Sequence, residues 1–241
     1  MSRVVAGIQA RMGSSRLPGK SLALLGGLPV IGWVVTRVAR AHRIDEVWVL
    51  TTESPEDDAL ADIVARDLPV ARLLRGSAAD VRDRYARMVE RSGATDVVRI
   101  TADCPLVDSA LLDALVELHR ARGTDYAHIA SQSHYPFSYP HGLNAEILTR
   151  AAFARLLELG SEPRHREHVT IAVDEHPEAF RTARLAPPPA LSRPRFKVCV
   201  DTPADLERVR RVVGDMGAGA LDAGVAEIVA ACDRVLGREG P

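Results

Sequence analysis

The sequence predicts an α/β fold in which a mainly parallel sheet is flanked by helices on both faces. Short apolar runs rich in Val and Ile alternate with segments whose apolar residues recur at helical spacing, and this alternation repeats along most of the chain. Repeated β-α-β units of this length favour parallel strands joined by crossover helices. With 241 residues, of which 46% are hydrophobic, the chain can bury a sizeable core of this kind.

The elements follow one another in a regular order. Apolar, β-prone runs predict strands at residues 3–9, 46–52, 70–74, 96–101, 125–130 and 195–200. Helical spacing predicts helices at residues 29–41, 55–66, 80–92, 109–122, 204–214 and 221–236. Asp108 is suited to cap the helix that begins at Ser109, and acidic residues open the helix at 55–66.

The regular pattern breaks between about residues 131 and 176, where aromatic, His and Pro side chains interrupt it. We expect a single domain over residues 1–241, with a small β-rich excursion around residues 137–148. Loops that interrupt a regular scaffold often carry specificity, so this excursion is a candidate binding region.

Composition excludes several classes of function. The formal net charge of −1 gives no overall attraction to nucleic acid or anionic membranes. No apolar stretch reaches the length of a transmembrane helix. Cys104, Cys199 and Cys232 form no C-x-x-C pair, which suits a reducing cytosol better than a disulfide framework. We therefore expect a cytoplasmic protein without nucleic-acid or membrane partners, and leave room for a homodimer.

The loop after the first predicted strand is the strongest functional signal. Arg11, Arg16 and Lys20 bring three cations into one loop, and they repel one another unless an anion joins them. Gly13 and Ser14 allow backbone N–H groups to approach that anion closely. Ligands of open α/β sheets bind at the carboxyl ends of the strands, where this loop lies. The loop is therefore a candidate triphosphate site, and the alternative is a solvated basic turn.

Two common phosphate motifs do not fit this loop. Gly19-Lys20-Ser21 ends like a P-loop, but Gly13 lies one residue too far upstream for that motif. The Rossmann G-x-G-x-x-G pattern is absent from this position, which argues against a nicotinamide oxidoreductase.

Two aspartates follow predicted strands at their carboxyl ends. Asp103 comes after the strand at 96–101, and Asp201 comes after the strand at 195–200. Mg²⁺ favours a few carboxylates completed by phosphate oxygens and water, so the pair predicts a magnesium site. Alternatively, Asp201 caps the helix that follows Pro203.

Six segments resemble a known family. They are residues 8–20 (IQARMGSSRLPGK), 52–58 (TESPEDD), 76–85 (GSAADVRDRY), 99–105 (RITADCP), 166–170 (REHVT) and 200–203 (VDTP). In this order they resemble the acylneuraminate and 3-deoxy-manno-octulosonate cytidylyltransferases, most closely the spore-coat polysaccharide (SpsF-like) branch. The resemblance implies a nucleotide-diphospho-sugar transferase-like (Rossmann-like) fold. It also implies Mg²⁺-dependent transfer of CMP from CTP to a small anionic acceptor, a sugar acid, for polysaccharide biosynthesis.

The resemblance also implies roles for matching residues. The nucleotide site would comprise Ala10, Arg11, Gly13, Ser14, Arg16, Lys20, Gly76, Ser77, Arg84 and Asp103. Within it, Gly76, Ser77 and Arg84 would line the cytosine and ribose pocket, and Arg16 and Lys20 would act in catalysis on the leaving pyrophosphate. Mg²⁺ would be bound by Asp103 and Asp201. No residue is identified as a general base.

An acceptor site is predicted from the excursion and from the basic cluster of Arg164, His165, Arg166 and His168. The residues assigned to it are His141, Asn144, Glu146, Arg166 and His168. Asn144 stands where relatives usually carry Asp, which removes one carboxylate near the acceptor. Three alternatives stay open: another nucleotide, a phosphate- or phosphonate-bearing acceptor, and a non-catalytic nucleotide-binding protein. The basic cluster could also be a solvated helix surface.

Overall fold

A computed structural model describes residues 2–131 and 137–237 of the chain. Its strands are β1 (Val4–Gln9), β2 (Leu24–Leu25), β3 (Leu28–Pro29), β4 (Glu46–Thr52), β5 (Ala71–Gly76), β6 (Asp96–Thr101), β7 (Tyr126–Ile129), β8 (Glu146–Thr149) and β9 (Thr182–Leu185). Its α-helices are α1 (Val30–Val38), α2 (Asp58–Asp67), α3 (Val81–Ser92), α4 (Ser109–Arg122), α5 (Arg150–Leu159), α6 (Pro163–Glu167), α7 (Ile171–Glu175), α8 (Pro203–Met216) and α9 (Val225–Val235).

Seven strands form one sheet in the order β5-β4-β1-β6-β8-β7-β9, which confirms the predicted fold class. The pairs β4/β5, β1/β4, β1/β6 and β7/β9 are parallel. Strand β8 is inserted between β6 and β7 and is antiparallel to both. The carboxyl ends of β1 and β6 therefore lie at the same edge of the sheet, where the loops that follow them meet.

Alternating side chains divide the interior into two cores. On β1, Val4, Ala6 and Ile8 pack on one face, with buried residues of α1, α4, α8 and α9. Val5 points to the opposite face and packs with buried residues of α3, α5 and α7. A strand that buries both faces loses the usual apolar–polar alternation, which explains its continuous apolar sequence.

One sequence prediction about the fold needs correction. Residues 195–200 do not form a strand; within the described ranges they contribute a single bridge, between Lys197 and His141. The predicted β-rich excursion around residues 137–148 contributes the His141 bridge and the start of β8, which joins the main sheet and is followed by α5, α6 and α7. Residues 132–136, which belong to the predicted excursion, lie outside the described residues. Most of the other predicted elements agree with the observed ones to within a few residues.

No helix in the described part of the chain combines the length and the hydrophobicity needed to cross a bilayer. The three cysteines are free and buried.

Candidate active site

A cleft opens at the carboxyl ends of β1 and β6. It is lined by Gln9, Ala10, Arg11, Gly13, Ser14, Ser15, Arg16, Lys20, Ser21, Val81, Arg84, Thr101, Ala102, Asp103, Glu167 and Asp201. The structure thus brings the basic loop after β1 together with both aspartates that were predicted to bind a metal. This is the arrangement expected when the ends of neighbouring parallel strands meet.

Lys20 is held by a tight turn at the end of the loop. Gly19 adopts a φ of 73°, a left-handed conformation that glycine adopts without steric cost. The N–H of Gly19 donates to the carbonyl of Met12 at 3.0 Å, which closes the loop on itself. The chain therefore reverses at Gly19 and directs Lys20 back into the cleft.

Lys20 bridges the two aspartates. Its Nζ lies 2.8 Å from Oδ2 of Asp103 and 3.2 Å from Oδ1 of Asp201. Burial alone would lower the pKa of the Lys20 ammonium, but the charges and hydrogen bonds of the two carboxylates outweigh it and raise the pKa. Lys20 is consequently fully charged at neutral pH.

The backbone explains why the two carboxylates lie side by side. The N–H of Val200 donates to the carbonyl of Asp103 at 2.8 Å, so the segment before α8 is fixed against the segment after β6. Thr202, and not Asp201, caps α8: its hydroxyl accepts the N–H of Asp205 at 3.2 Å in a capping box. The cap alternative for Asp201 is therefore wrong, and its carboxylate is left to face the cleft.

The cations of the loop are paired with acids of the protein itself. Arg16 contacts Asp201 at 2.9 Å, and Arg11 contacts Glu167 of α6 at 2.8 Å. Lys197 approaches Asp201 from another side at 3.0 Å. Although burial alone would raise the pKa of Asp201, these lysine contacts outweigh it and lower the pKa. Acidic side chains of the protein itself thus compensate the positive charges of the three loop cations.

Arg84 lies deep in the wall of the cleft, with only 2% of its surface exposed. Its Nη1 donates to the carbonyl of Leu50 at 3.1 Å, while its Nε has no hydrogen-bond partner among the described residues. Burial lowers the pKa of this guanidinium. A buried donor without a partner is costly, so Arg84 is well suited to donate a hydrogen bond to an acceptor atom of a ligand.

Gly76 and Ser77 do not line this cleft, although they were predicted to contact the nucleotide. A Cβ at Gly76 would lie 3.0 Å from Cγ of Arg84, so glycine gives this arginine room. The Ser77 hydroxyl accepts the N–H of Asp80 at 3.0 Å, just before α3. Gly76 therefore gives space to Arg84, and Ser77 stabilises the turn before α3.

A second cavity lies beside the cleft, under α7. It is lined by Arg99, Tyr126, His128, Ile129, Asn144, Ala145, Glu146, His168, Thr170, Ile171 and Asp174. Three residues of the predicted acceptor site, Asn144, Glu146 and His168, therefore lie together. Asn144 also accepts a contact from Sγ of Cys104 at 3.4 Å, and Cys104 is the direct neighbour of Asp103.

A half-buried ion pair connects the cavity with the cleft. Arg99 donates to Glu146 at 2.7 Å and to the side chain of Gln9 at 3.0 Å, and Gln9 lines the cleft. Tyr126 and Thr170 donate to Glu146 as well. Arg99 was not among the residues predicted for the site. An arginine inside an otherwise apolar strand is a usable signal, because such a charge is rarely buried without a partner.

His141 and Arg166 line neither of these two cavities. His141 is half-buried beside Cys199, and burial together with the Lys197 charge lowers its pKa. Arg166 is exposed on α6. Since neither side chain reaches the second cavity, their prediction as acceptor ligands is not supported by the geometry.

The predicted basic cluster is largely structural. His165 is buried, with Nδ1 accepting the N–H of Glu162 at 2.9 Å and Nε2 lying 2.7 Å from Glu175. Arg164 pairs with the same two acids, each at 3.1 Å. These contacts fold the α6–α7 segment onto itself, so only His168 of the cluster reaches the cavity.

The donor set fits a hard divalent cation that shares its coordination with a ligand. Within residues 2–131 and 137–237, no group of three or more His, Cys, Asp or Glu side chains is arranged to hold a metal ion by itself. Asp103 and Asp201 supply two carboxylates in an open cleft, and phosphate oxygens and water usually complete Mg²⁺ coordination.

Comparisons with known proteins agree with this geometry. A family model described as cytidylyltransferase matches residues 5–224. The chain is 30% identical over 223 residues to the spore coat polysaccharide biosynthesis protein SpsF of Bacillus subtilis, covering 90% of this chain and 89% of that protein. It is 42% identical over 118 residues to a 3-deoxy-manno-octulosonate cytidylyltransferase of Syntrophobacter fumaroxidans, covering 48% of this chain and 46% of that protein.

Solved structures show the same fold. A cytidylyltransferase from Leptospira borgpetersenii superposes with a TM-score of 0.86 at 27% identity, covering 97% of this chain and 95% of that one. A CMP:2-keto-3-deoxy-manno-octonic acid synthetase complexed with CTP superposes with a TM-score of 0.66 at 21% identity, covering 89% of this chain and 100% of that one.

Proposed function

This chain belongs to the cytidylyltransferase family, and we propose that it transfers CMP from CTP to an acidic acceptor, a sugar acid, with release of pyrophosphate. One observation carries the proposal: Lys20 of the basic loop bridges Asp103 and Asp201 inside a cleft at the carboxyl ends of β1 and β6. Cations for a triphosphate and carboxylates for a divalent ion thus meet in one place, as nucleotidyl transfer requires.

The chemistry consists of attack by an acceptor oxygen on the α-phosphorus of CTP, while pyrophosphate leaves. Such a transfer depends on positioning and on charge neutralisation more than on a covalent nucleophile. Arg11, Arg16 and Lys20 exchange their carboxylate partners for phosphate oxygens and hold the triphosphate. Arg16 and Lys20 then stabilise the negative charge that develops on the leaving pyrophosphate.

Mg²⁺ is the proposed cofactor, with Asp103 and Asp201 as its protein ligands. When bound, the ion neutralises phosphate charge and polarises the phosphoryl oxygens. The two carboxylates would hold it against the triphosphate, and Lys197, outside the cleft, contributes to the lowered pKa of Asp201.

The second cavity is the proposed acceptor site. Asn144, Glu146 and His168 offer hydrogen bonds to hydroxyl and carboxyl groups, and Arg99 of the cavity donates a hydrogen bond to Gln9 of the cleft. The name of the 3-deoxy-manno-octulosonate relative supports a sugar acid as the substrate class, and the name of the SpsF relative supports a role in polysaccharide biosynthesis. We assign the reaction to the cytosol, since all three cysteines are free.

Pyrophosphate release tests the proposal. The protein is incubated with CTP, ATP, GTP or UTP, with Mg²⁺, and with a panel of 2-keto-3-deoxy sugar acids, phosphorylated hydroxy acids and phosphonates. Release with CTP and a sugar acid supports the proposal. A different active nucleotide or a phosphonate acceptor favours the related transferases, and CTP binding without turnover across the panel favours a nucleotide sensor.

The acceptor cavity makes a separate prediction. His168→Ala should raise the KM for the acceptor about 10-fold, the effect of losing one hydrogen bond, and leave the KM for CTP nearly unchanged. Asn144→Asp should shift acceptor preference, since it adds a carboxylate beside Cys104. Steady-state kinetics with both substrates measure these effects.

Arg166→Ala is the matched control, because this exposed arginine lies two residues from His168 and outside both cavities. Equal acceptor KM values for His168→Ala and Arg166→Ala would show that the second cavity does not bind the acceptor.

A further inference from the structure

Asp57 is a buried carboxylate that the proposed chemistry does not use. It lies in the TESPEDD segment after β4 and is fully buried, with 0% of its surface exposed. Burying a carboxylate is costly unless hydrogen bonds compensate for the lost water. A negative charge close to a triphosphate site also opposes anion binding. Both costs indicate that Asp57 has a structural or positional task.

Asp57 accepts a hydrogen bond from the basic loop after β1. Its Oδ1 accepts the backbone N–H of Met12 at 2.6 Å, and its Oδ2 accepts the hydroxyl of Thr52. The backbone of Asp57 is held in place as well, because its N–H donates to the carbonyl of Ser54 at 3.0 Å. A hydrogen-bonded turn at the end of β4 therefore holds Met12 near the start of the basic loop.

Met12 also accepts hydrogen bonds from two other residues of the basic loop. Its carbonyl accepts the N–H of Ser14 at 2.9 Å and the N–H of Gly19 at 3.0 Å. The first bond shapes the turn that carries Gly13, and the second closes the loop immediately before Lys20. Fixing Met12 thus fixes the start and the end of the loop together.

We propose that Asp57 is a positioning residue for the nucleotide site: it holds Met12, and through Met12 it sets the conformation of the phosphate-binding loop and the position of Lys20. This inference rests on the proposed function, since it deepens the assignment of that loop. The task requires a hydrogen-bond acceptor, and the negative charge is not needed for it. Asparagine should therefore substitute for Asp57, because its amide oxygen accepts the same N–H.

The test compares Asp57→Ala, Asp57→Asn and Thr52→Val with the matched control Asp58→Asn. Asp58 is the next residue, is exposed, and pairs with Arg75 at 2.7 Å away from the loop. Calorimetry measures the affinity for CTP, and amide hydrogen exchange follows the peptide covering residues 11–20. Thermal unfolding identifies variants that fail to fold.

Asp57→Ala should weaken CTP binding about 10- to 100-fold and accelerate exchange of the loop amides. Asp57→Asn and Asp58→Asn should stay within about 3-fold of the unmodified protein, and Thr52→Val should fall between them and Asp57→Ala. The acceptor KM should be unchanged in all four. If Asp57→Ala fails to fold, the contrast between Thr52→Val and Asp58→Asn carries the test.

Two outcomes overturn the inference: protected loop amides and normal CTP affinity in Asp57→Ala, or equal effects of Thr52→Val and Asp58→Asn. Hydrogen exchange separates this failure from failure of the proposed function. If the protein transfers no CMP but the loop amides still lose protection in Asp57→Ala, Asp57 positions the loop and only the reaction is misassigned.

Discussion

Lys20→Ala is expected to lower kcat about 10²- to 10³-fold, or about 2.7–4 kcal/mol of barrier, by analogy with the removal of one oxyanion donor. Lys20 is the loop cation held between Asp103 and Asp201, where charge would develop on the leaving pyrophosphate. Pyrophosphate release at saturating CTP and acceptor measures the effect. The fold should persist, because Asp201 keeps its contacts with Arg16 and Lys197.

Lys197→Ala is the matched control for this variant. The chain contains only two lysines, and Lys197 contacts the same Asp201 without lining the cleft. Its loss should affect stability more than chemistry, since it also pairs with Asp205 at 2.8 Å near the start of α8. If Lys20→Ala keeps a near-normal kcat, or if both lysine variants lose activity equally, Lys20 has no special role in the reaction.

Asp103→Asn and Asp201→Asn are each expected to raise the Mg²⁺ concentration for half-maximal activity by at least about 10- to 100-fold, the range seen when metal sites are weakened indirectly. An amide brings no negative charge to a hard cation. Titration of pyrophosphate release with Mg²⁺ measures activation, and Mn²⁺ binding followed by magnetic resonance measures affinity without turnover.

Glu167→Gln is the control for these two variants, because Glu167 lines the cleft but pairs with Arg11. It should leave the Mg²⁺ dependence unchanged. Since Thr202 is the cap of α8, Asp201→Asn should also unfold at nearly the same temperature as the unmodified protein. An unchanged Mg²⁺ dependence in Asp103→Asn or Asp201→Asn would exclude that residue as a metal ligand.

Much of the cleft follows from the sequence through one geometric rule. Parallel strands end at the same edge of a sheet, so an Asp after β6 and a basic loop after β1 had to meet there. Asp201 also lies at this edge, but the rule does not explain its position, because residues 195–200 form no strand. Residues 195–200 are held in place by hydrogen bonds to His141 and to the carbonyl of Asp103, which belong to loops and not to strands.

Features that depend on distant partners could not be predicted. Strand β8 has only four residues and is stabilised by β6 and β7 on either side, with Ile147 and Leu148 buried. Its local pattern is too short to indicate a central strand. The pairing of Arg11 with Glu167 likewise joins residues 156 positions apart, so no spacing in the sequence reports it.

The internal pairing of the cleft charges has a thermodynamic consequence for the proposed ligands. A triphosphate that draws Arg16 and Lys20 away leaves Asp103 and Asp201 without those partners, which disfavours binding of the nucleotide alone. A divalent cation must likewise compete with Lys20 for the same carboxylates. Each ligand relieves the cost that the other meets, so their binding free energies are coupled. Reciprocity then requires that Mg²⁺ tighten CTP binding by the same factor by which CTP tightens Mg²⁺ binding.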